Sequence, residues 1–171
     1  MLAPMGLAAV LVVATAMGAC SSPEPLLDRA STQLEVGRAV AEGVAPAIEA
    51  VSCPGEVPAG KGESFRCAVE LADGAGTLPV AVDQVDDDGT LKVTPGRAVL
   101  TDEAIAEQLK AGLGQQFGRS FQADCGDRGP SVRDPDDVVV CQARDKTSRR
   151  SVEVTIVDTE GTLSFEVLDP N

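Results

Sequence analysis

The side chains with the most chemistry to offer in this chain are its cysteines. Five are present, Cys20, Cys53, Cys67, Cys125 and Cys141, and there is no His, Trp or Tyr. Without His there is no Ser-His-Asp or Cys-His nucleophile, no imidazole metal ligand and no His-based pH switch. Dithiol redox chemistry is not set up either. The last four cysteines are spaced C-x13-C and C-x15-C, not C-x-x-C, and no Lys or helix start is placed to depress a thiol pKa. Carboxylates are the remaining reactive class. The run Asp86-Asp87-Asp88-Gly89 invites a calcium reading, but with Gly at position six the loop would begin at Gln84 and end at Pro95, so the bidentate Glu is missing. A hairpin turn with Gly at positive φ accounts for this run and for Thr159-Glu160-Gly161. Asp134-Pro135-Asp136-Asp137 reads as a solvated loop. No two carboxylates stand out as an acid and a base. The expectation is a protein that is not an enzyme, with no catalytic residue, no metal and no cofactor.

Charge narrows the partners. There are 14 basic and 27 acidic side chains, a net charge of −13, which argues against nucleic acid and against anionic headgroups. All four aromatics are Phe, so there is no platform for stacking bases or sugars. Phe65 and Phe165 sit at inward strand positions and read as core, while Phe117 and Phe121 flank a helix end and are expected to pack beneath it. Arg149-Arg150, beside Arg144 and Lys146, is the one basic cluster. It reads as a solvated strand end, with docking of an anionic partner as the alternative.

Cys20 stands apart from the other four. It follows the apolar run Leu7-Ala-Ala-Val-Leu-Val-Val-Ala14, the length of a signal-peptide core and too short to span a bilayer. Met17-Gly18-Ala19 precede it, small at the two nearest positions, and Ser21-Ser22-Pro23 follow as a polar tether. This pattern looks like a bacterial lipobox, in which the cysteine becomes the acylated first residue of the mature chain. The reading is a signal peptide over residues 1–19 and a lipidated N-terminus and tether over 20–30. An acyl anchor would hold the protein on the outer face of the cytoplasmic membrane. Export implies an oxidising compartment, so the four remaining cysteines are expected in two disulfides, for which three connectivities exist.

A repeat selects one of them. Shifted by 72 residues, the chain falls on itself: Cys53 lands on Cys125, Val80 and Val82 on Val152 and Val154, and Asp88-Gly89-Thr90-Leu91 on Glu160-Gly161-Thr162-Leu163. Cys67 misses Cys141 by two residues. Cys53–Cys67 and Cys125–Cys141 are therefore corresponding local pairs.

The elements that position these cysteines repeat as well. A helix is expected from about Ser31 to Val44, with Leu34, Val40 and Val44 near helical spacing and Pro46 ending it. A second follows the N-cap candidate Thr101. Asp102 and Glu103 lie in its first turn, Ile105, Leu109 and Leu113 form its stripe, and Gly114 and Gly118 weaken its end. Short strands then lead into the first cysteine of each pair, at Ile48–Ser52 and Ser120–Asp124. A loop follows, and strands around Phe65–Val69 and Val138–Ala143 carry the second cysteine. A hairpin closes each repeat: Val152, Val154 and Ile156 alternate with polar residues, as do Leu163, Phe165 and Val167, and Val80, Val82, Leu91 and Val93 do so more weakly. The fold class is α+β: two tandem repeats, 31–95 and 96–171, each one helix packed on a four-stranded antiparallel sheet with one internal disulfide. Units of this size have marginal cores, which makes a staple in each physically sensible. The short connector Thr94-Pro95-Gly96-Arg97 favours close packing of the two.

Val51-Ser52-Cys53-Pro54, Gly62-Glu63-Ser64-Phe65-Arg66-Cys67 and the Asp88-Gly89 hairpin resemble a small secreted domain common in actinobacteria, catalogued as domain of unknown function 4333. The likeness covers Ala47 to Val93. The second repeat departs from it, with Gly126 after Cys125 and Val139 in place of Phe. The resemblance implies an envelope-attached, disulfide-bonded module and no activity. In architecture alone, tandem disulfide-bonded helix-and-sheet units are also similar to a secreted protein inhibitor of class A β-lactamases. The functional expectation is a lipid-anchored, extracytoplasmic binding module with an envelope protein as partner. Two alternatives stand beside it: a carrier of a small apolar ligand or lipid, and a proteinaceous inhibitor of an extracytoplasmic enzyme.

Overall fold

The computed structural model describes residues 25–44 and 46–168. Of the expected signal peptide (1–19) and tether (20–30), residues 1–24, Cys20 among them, lie outside the described residues, while Leu26 bridges Pro58 and Arg29 already begins the first helix.

Asp28 caps the first helix, α1 (Arg29–Ala41), its carboxylate accepting from the Ser31 N–H at 2.8 Å. This cap sets the helical phase. Thr32, Val36 and Val40, four apart, form the buried stripe. Leu34, expected on that stripe, is 77% exposed. The helix starts two residues before the expected Ser31 and ends at Ala41, short of Val44. Val44 nevertheless packs against the core from beyond the helix end. Four antiparallel strands follow: β1 (Ile48–Ser52), β2 (Ser64–Leu71), β3 (Gly76–Gln84) and β4 (Leu91–Pro95), in the spatial order of the chain. Their inward residues Val69, Leu71, Leu78, Val80 and Val82 complete the first core with Val36 and Val40.

The second unit repeats this plan. Thr101 caps α2 (Asp102–Phe117), accepting from the Ala104 N–H at 2.9 Å, and Ile105, Leu109 and Leu113 are buried as expected. Its sheet runs β6 (Gln122–Asp124), β8 (Val138–Arg144), β9 (Arg149–Ile156) and β10 (Leu163–Val167), with β6 and β10 at the edges. Cys141 pairs with Val152 across strands as Cys67 pairs with Val80. Phe65 and Phe165 are partly buried against their cores. Phe165 lies directly over Gly112, where a Cβ would come within 2.5 Å of the ring.

The sequence pattern did not anticipate β5 (Ala98–Leu100) and β7 (Ser131–Arg133), which pair antiparallel. β7 lies inside the loop between Cys125 and Cys141. The first unit has the same device in miniature: Leu26 bridges Pro58 in the loop between Cys53 and Cys67. The β5–β7 ribbon joins the units. Ala98 and Leu100 belong to the second core, whereas Val99 and Val132 pack on the first. The Val132 N–H donates to the Ala75 carbonyl at 2.9 Å, so the ribbon is hydrogen-bonded to the first unit as well. The two cores are distinct and share this ribbon as a wall.

Candidate functional site

Both expected disulfides are present. Cys53–Cys67 ties the end of β1 to β2, and Cys125–Cys141 ties the residue after β6 to β8, one in each half of the chain. All four half-cystines are buried. They hold the strand carrying the first cysteine of each pair onto the sheet, at the point where β1 or β6 stops pairing.

The acidic runs shape turns. Asp86 accepts from the N–H groups of Asp88 and Thr90, and Asp158 accepts from those of Glu160 and Thr162. Gly89 and Gly161 follow at φ 88° and 83°. Donation from the Thr90 or Thr162 backbone and side chain lowers the pKa of each Asp below the usual carboxylate value. Asp134 and Asp137 close a second kind of turn. The Asp134 N–H donates to Asp137 Oδ2 at 2.9 Å, and the Asp136 N–H donates to the Ile156 carbonyl at 2.8 Å. Asp134 also pairs with Arg97 at 2.7 Å. Among the described residues no group of three or more His, Cys, Asp or Glu side chains is gathered as a metal site.

Asp102 is the buried carboxylate that sequence reasoning placed only as a helix dipole partner. It is 1% exposed and accepts from Arg128 Nε at 3.0 Å, the Arg128 N–H at 3.1 Å and Arg133 Nη2 at 3.3 Å. It fastens the inter-cysteine loop to the start of α2. Gly126 makes room for it, since a Cβ there would meet Asp102 Oδ2 at 2.6 Å. The position has a structural role.

The basic cluster is divided by the sheet. Arg144 and Arg149 are paired across β8 and β9 on the outer face, and Arg144 Nε donates to Gln122 Oε1 at 2.6 Å. Arg150 is paired with buried Ala143 and so belongs to the helix side. The turn between the strands is held by Asp145, whose Oδ1 accepts from the N–H groups of Thr147 (2.7 Å) and Ser148 (2.8 Å). Those backbone bonds, Thr147's first, then the Thr147 hydroxyl and Arg119, hold its pKa down to about 2. Arg119, absent from the expected cluster, arrives from the turn after α2 and pairs with Asp145 at 3.0 Å. Its guanidinium also lies 5.9 Å from the Phe117 ring centroid and 5.2 Å from that of Phe121. The two rings are 5.8 Å apart and tilted.

Phe117 corrects an expectation: it is 48% exposed instead of tucked under the helix, while Phe121 is partly buried against the core. Between them and the sheet lies a cavity of about 210 Å³. Leu113, Ala143 and Val152 line it with Phe117, Phe121 and Val167, and so do Arg119, Ser148 and Arg150.

Among the described residues no helix covers the outer sheet faces. On β8 that face presents Val138 and Val140, 50% and 58% exposed, and they are paired with Thr155 and Glu153. On β2 the corresponding outward residues, counted from the bonded cysteine, are Ser64 and Arg66.

Residues 10–89 match the family described as Domain of unknown function (DUF4333). The likeness covers just under half of the chain. The DUF4333 segment takes in Cys53, Cys67 and the strands through the β3–β4 turn, and it begins ahead of Cys20. Residues 90–171, with the second disulfide and the Arg119 cavity, lie outside the DUF4333 match. No curated protein and no solved structure matches the chain.

Proposed function

We propose that this protein is a lipid-anchored, non-catalytic interaction module on the outer face of the cytoplasmic membrane. Its partner is an envelope protein that docks on the bare face of the second sheet. The observation that carries this reading is that face. A four-stranded sheet covered on one side by α2 leaves Val138 and Val140 exposed among Ser, Thr and Glu, an apolar centre with a polar rim. The tether rests on Cys20 and its flanking sequence. The closed disulfides agree with an oxidising compartment. Inhibition of an extracytoplasmic enzyme is one form that such docking could take.

Two tests separate tether from docking. Cys20→Ala should abolish palmitate incorporation and release the protein from membranes; continued membrane association would refute the anchor. Val138→Glu with Val140→Glu should leave the fold intact, because both side chains point to solvent, and should remove the partner from native complexes solubilised from membranes. Complexes of unchanged size would refute docking on this face.

A further inference from the structure

We infer that the cavity at the end of α2 is a binding site for a small apolar carboxylate, with the tail against Leu113, Ala143 and Val152 and the carboxylate at Arg119 and Arg150. This inference does not rest on the docking face, which lies on the opposite side of the same sheet. Three observations carry it.

The lining is divided. Leu113, Ala143 and Val152 are core residues at the floor, nearly without exposure, while Phe117, Arg119 and Arg150 are exposed and stand at the mouth. An apolar chamber with cations at its rim recognises a molecule with one apolar end and one anionic end. The volume, about 210 Å³, sets the size. It falls below the roughly 300 Å³ at which pockets for drug-sized ligands begin, so a short acyl or aryl acid fits and a diacyl lipid does not.

The mouth is also pre-shaped. Arg119 is held over both Phe rings and against Asp145, which keeps its guanidinium at the cavity and limits the rotamer freedom lost on binding. Asp145 offsets part of that charge. Even so, Arg150 adds a second cation at the mouth, on the helix side of the sheet. On a protein of net charge −13, two guanidinium groups at one cavity mouth make a local site for an anion.

Finally, the two units carry different side chains here. Val44 and Ile48 pack against the first unit's core, one turn past the helix and at the start of β1, where the second unit carries Phe117 and Phe121.

The test is a titration of the full-length chain, both disulfides formed, with octanoate and with octanol as its neutral counterpart, followed by backbone amide NMR. Octanoate should shift Leu113, Phe117, Ala143 and Val152, and octanol should bind at least about tenfold more weakly, since a charge-assisted hydrogen bond is lost. Arg150→Gln, an exposed change that keeps the fold, should weaken octanoate about tenfold and leave octanol alone. Ala143→Leu, which fills the floor, should abolish both. A peptide ending in Leu, as free acid and as amide, tells a free acid from a protein C-terminus: the source is a protein terminus if the acid form binds more tightly than octanoate, and a small acid if it does not. Equal affinity for octanoate and octanol, shifts scattered over the surface, or an Arg150→Gln variant that binds octanoate unchanged would each overturn the site.

Discussion

The two units share one topology and differ in what they do with its ends. In both, a capped helix crosses the inner face of a four-stranded antiparallel sheet, a disulfide ties the first strand to the second, and an Asp-x-x-Gly-Thr turn closes the last hairpin. The first unit covers its sheet with Thr32, Val36 and Val40, the second with Ile105, Leu109 and Leu113. The first finishes its core with aliphatic side chains. The second runs its helix on to Gly118, in the left-handed conformation, and opens a cavity ringed by Phe and Arg. The outward residues of β2 are Ser64 and Arg66; those of β8 are Val138 and Val140. The shared features are the caps, staples and turns that hold a small fold together, and the divergent ones are the helix stripes, the helix ends and the outer sheet faces. The proposed docking face and the proposed cavity site both lie in the second unit, outside the segment that the DUF4333 family covers.

The comparison can be broken most severely at the helices. Leu109→Ala removes a fully buried side chain and should cost about 4 kcal/mol, whereas Val36→Ala, with less to lose, should cost about 2 kcal/mol. Hydrogen exchange resolved by unit would show each loss in its own sheet, and equal costs would mean that the two cores are equally dependent on their helices. Next come the staples. The bonded residues are 14 and 16 apart, so replacing either pair by Ala should cost about 3 kcal/mol in chain entropy. With its smaller helix face, the first unit should open on losing Cys53–Cys67 under conditions where the second survives losing Cys125–Cys141. Survival of the first and loss of the second would reverse the ranking.

Two glycines sharpen the contrast further. Gly112→Ala drives a Cβ into the Phe165 ring at 2.5 Å and should destabilise by about 2 kcal/mol. Gly37→Ala meets only Val51 Cγ2 at 3.3 Å, and the gain in helix propensity should bring the change near zero. Thermal melts of the two variants decide this. The smallest effect concerns acid. Asp145 has a native pKa of about 2, below the ordinary 3.8. Its depressed value means that it stabilises the 145–148 turn above about pH 4 and that the contribution fades as pH falls from about 4 to about 2. The matching turn of the first unit, 72–75, is closed by the Ala75 N–H donating to the Ala72 carbonyl. Amide shifts of Thr147 and Ser148 should move over that range.

How far the sequence could be read depends on which forces set each position. The cysteine pairs and the two Gly-Thr-Leu turns were legible because local spacing fixes them. Ile105, Leu109 and Leu113 were legible because Thr101 gives the phase. Leu34 misled because a Leu in an apolar window outweighs a Thr, whereas the Asp28 cap puts Thr32 on the buried face and Leu34 in water. The ribbon of β5 and β7 was hidden, since three-residue strands leave no alternation to detect. The site itself was half visible. Arg150 stood out with its neighbours, but strand parity sends it to the other face from Arg149. Arg119 joins it only through the tertiary path of the turn after α2.

The most direct test of the account is photo-crosslinking in the native host from two matched positions, Arg66 on β2 and Val140 on β8, each one residue before its half-cystine and on its sheet's outer face. The account predicts one recurrent protein adduct from position 140 and none from position 66. Equal adducts from both, or none from 140, would contradict the placement of the docking surface on the second unit.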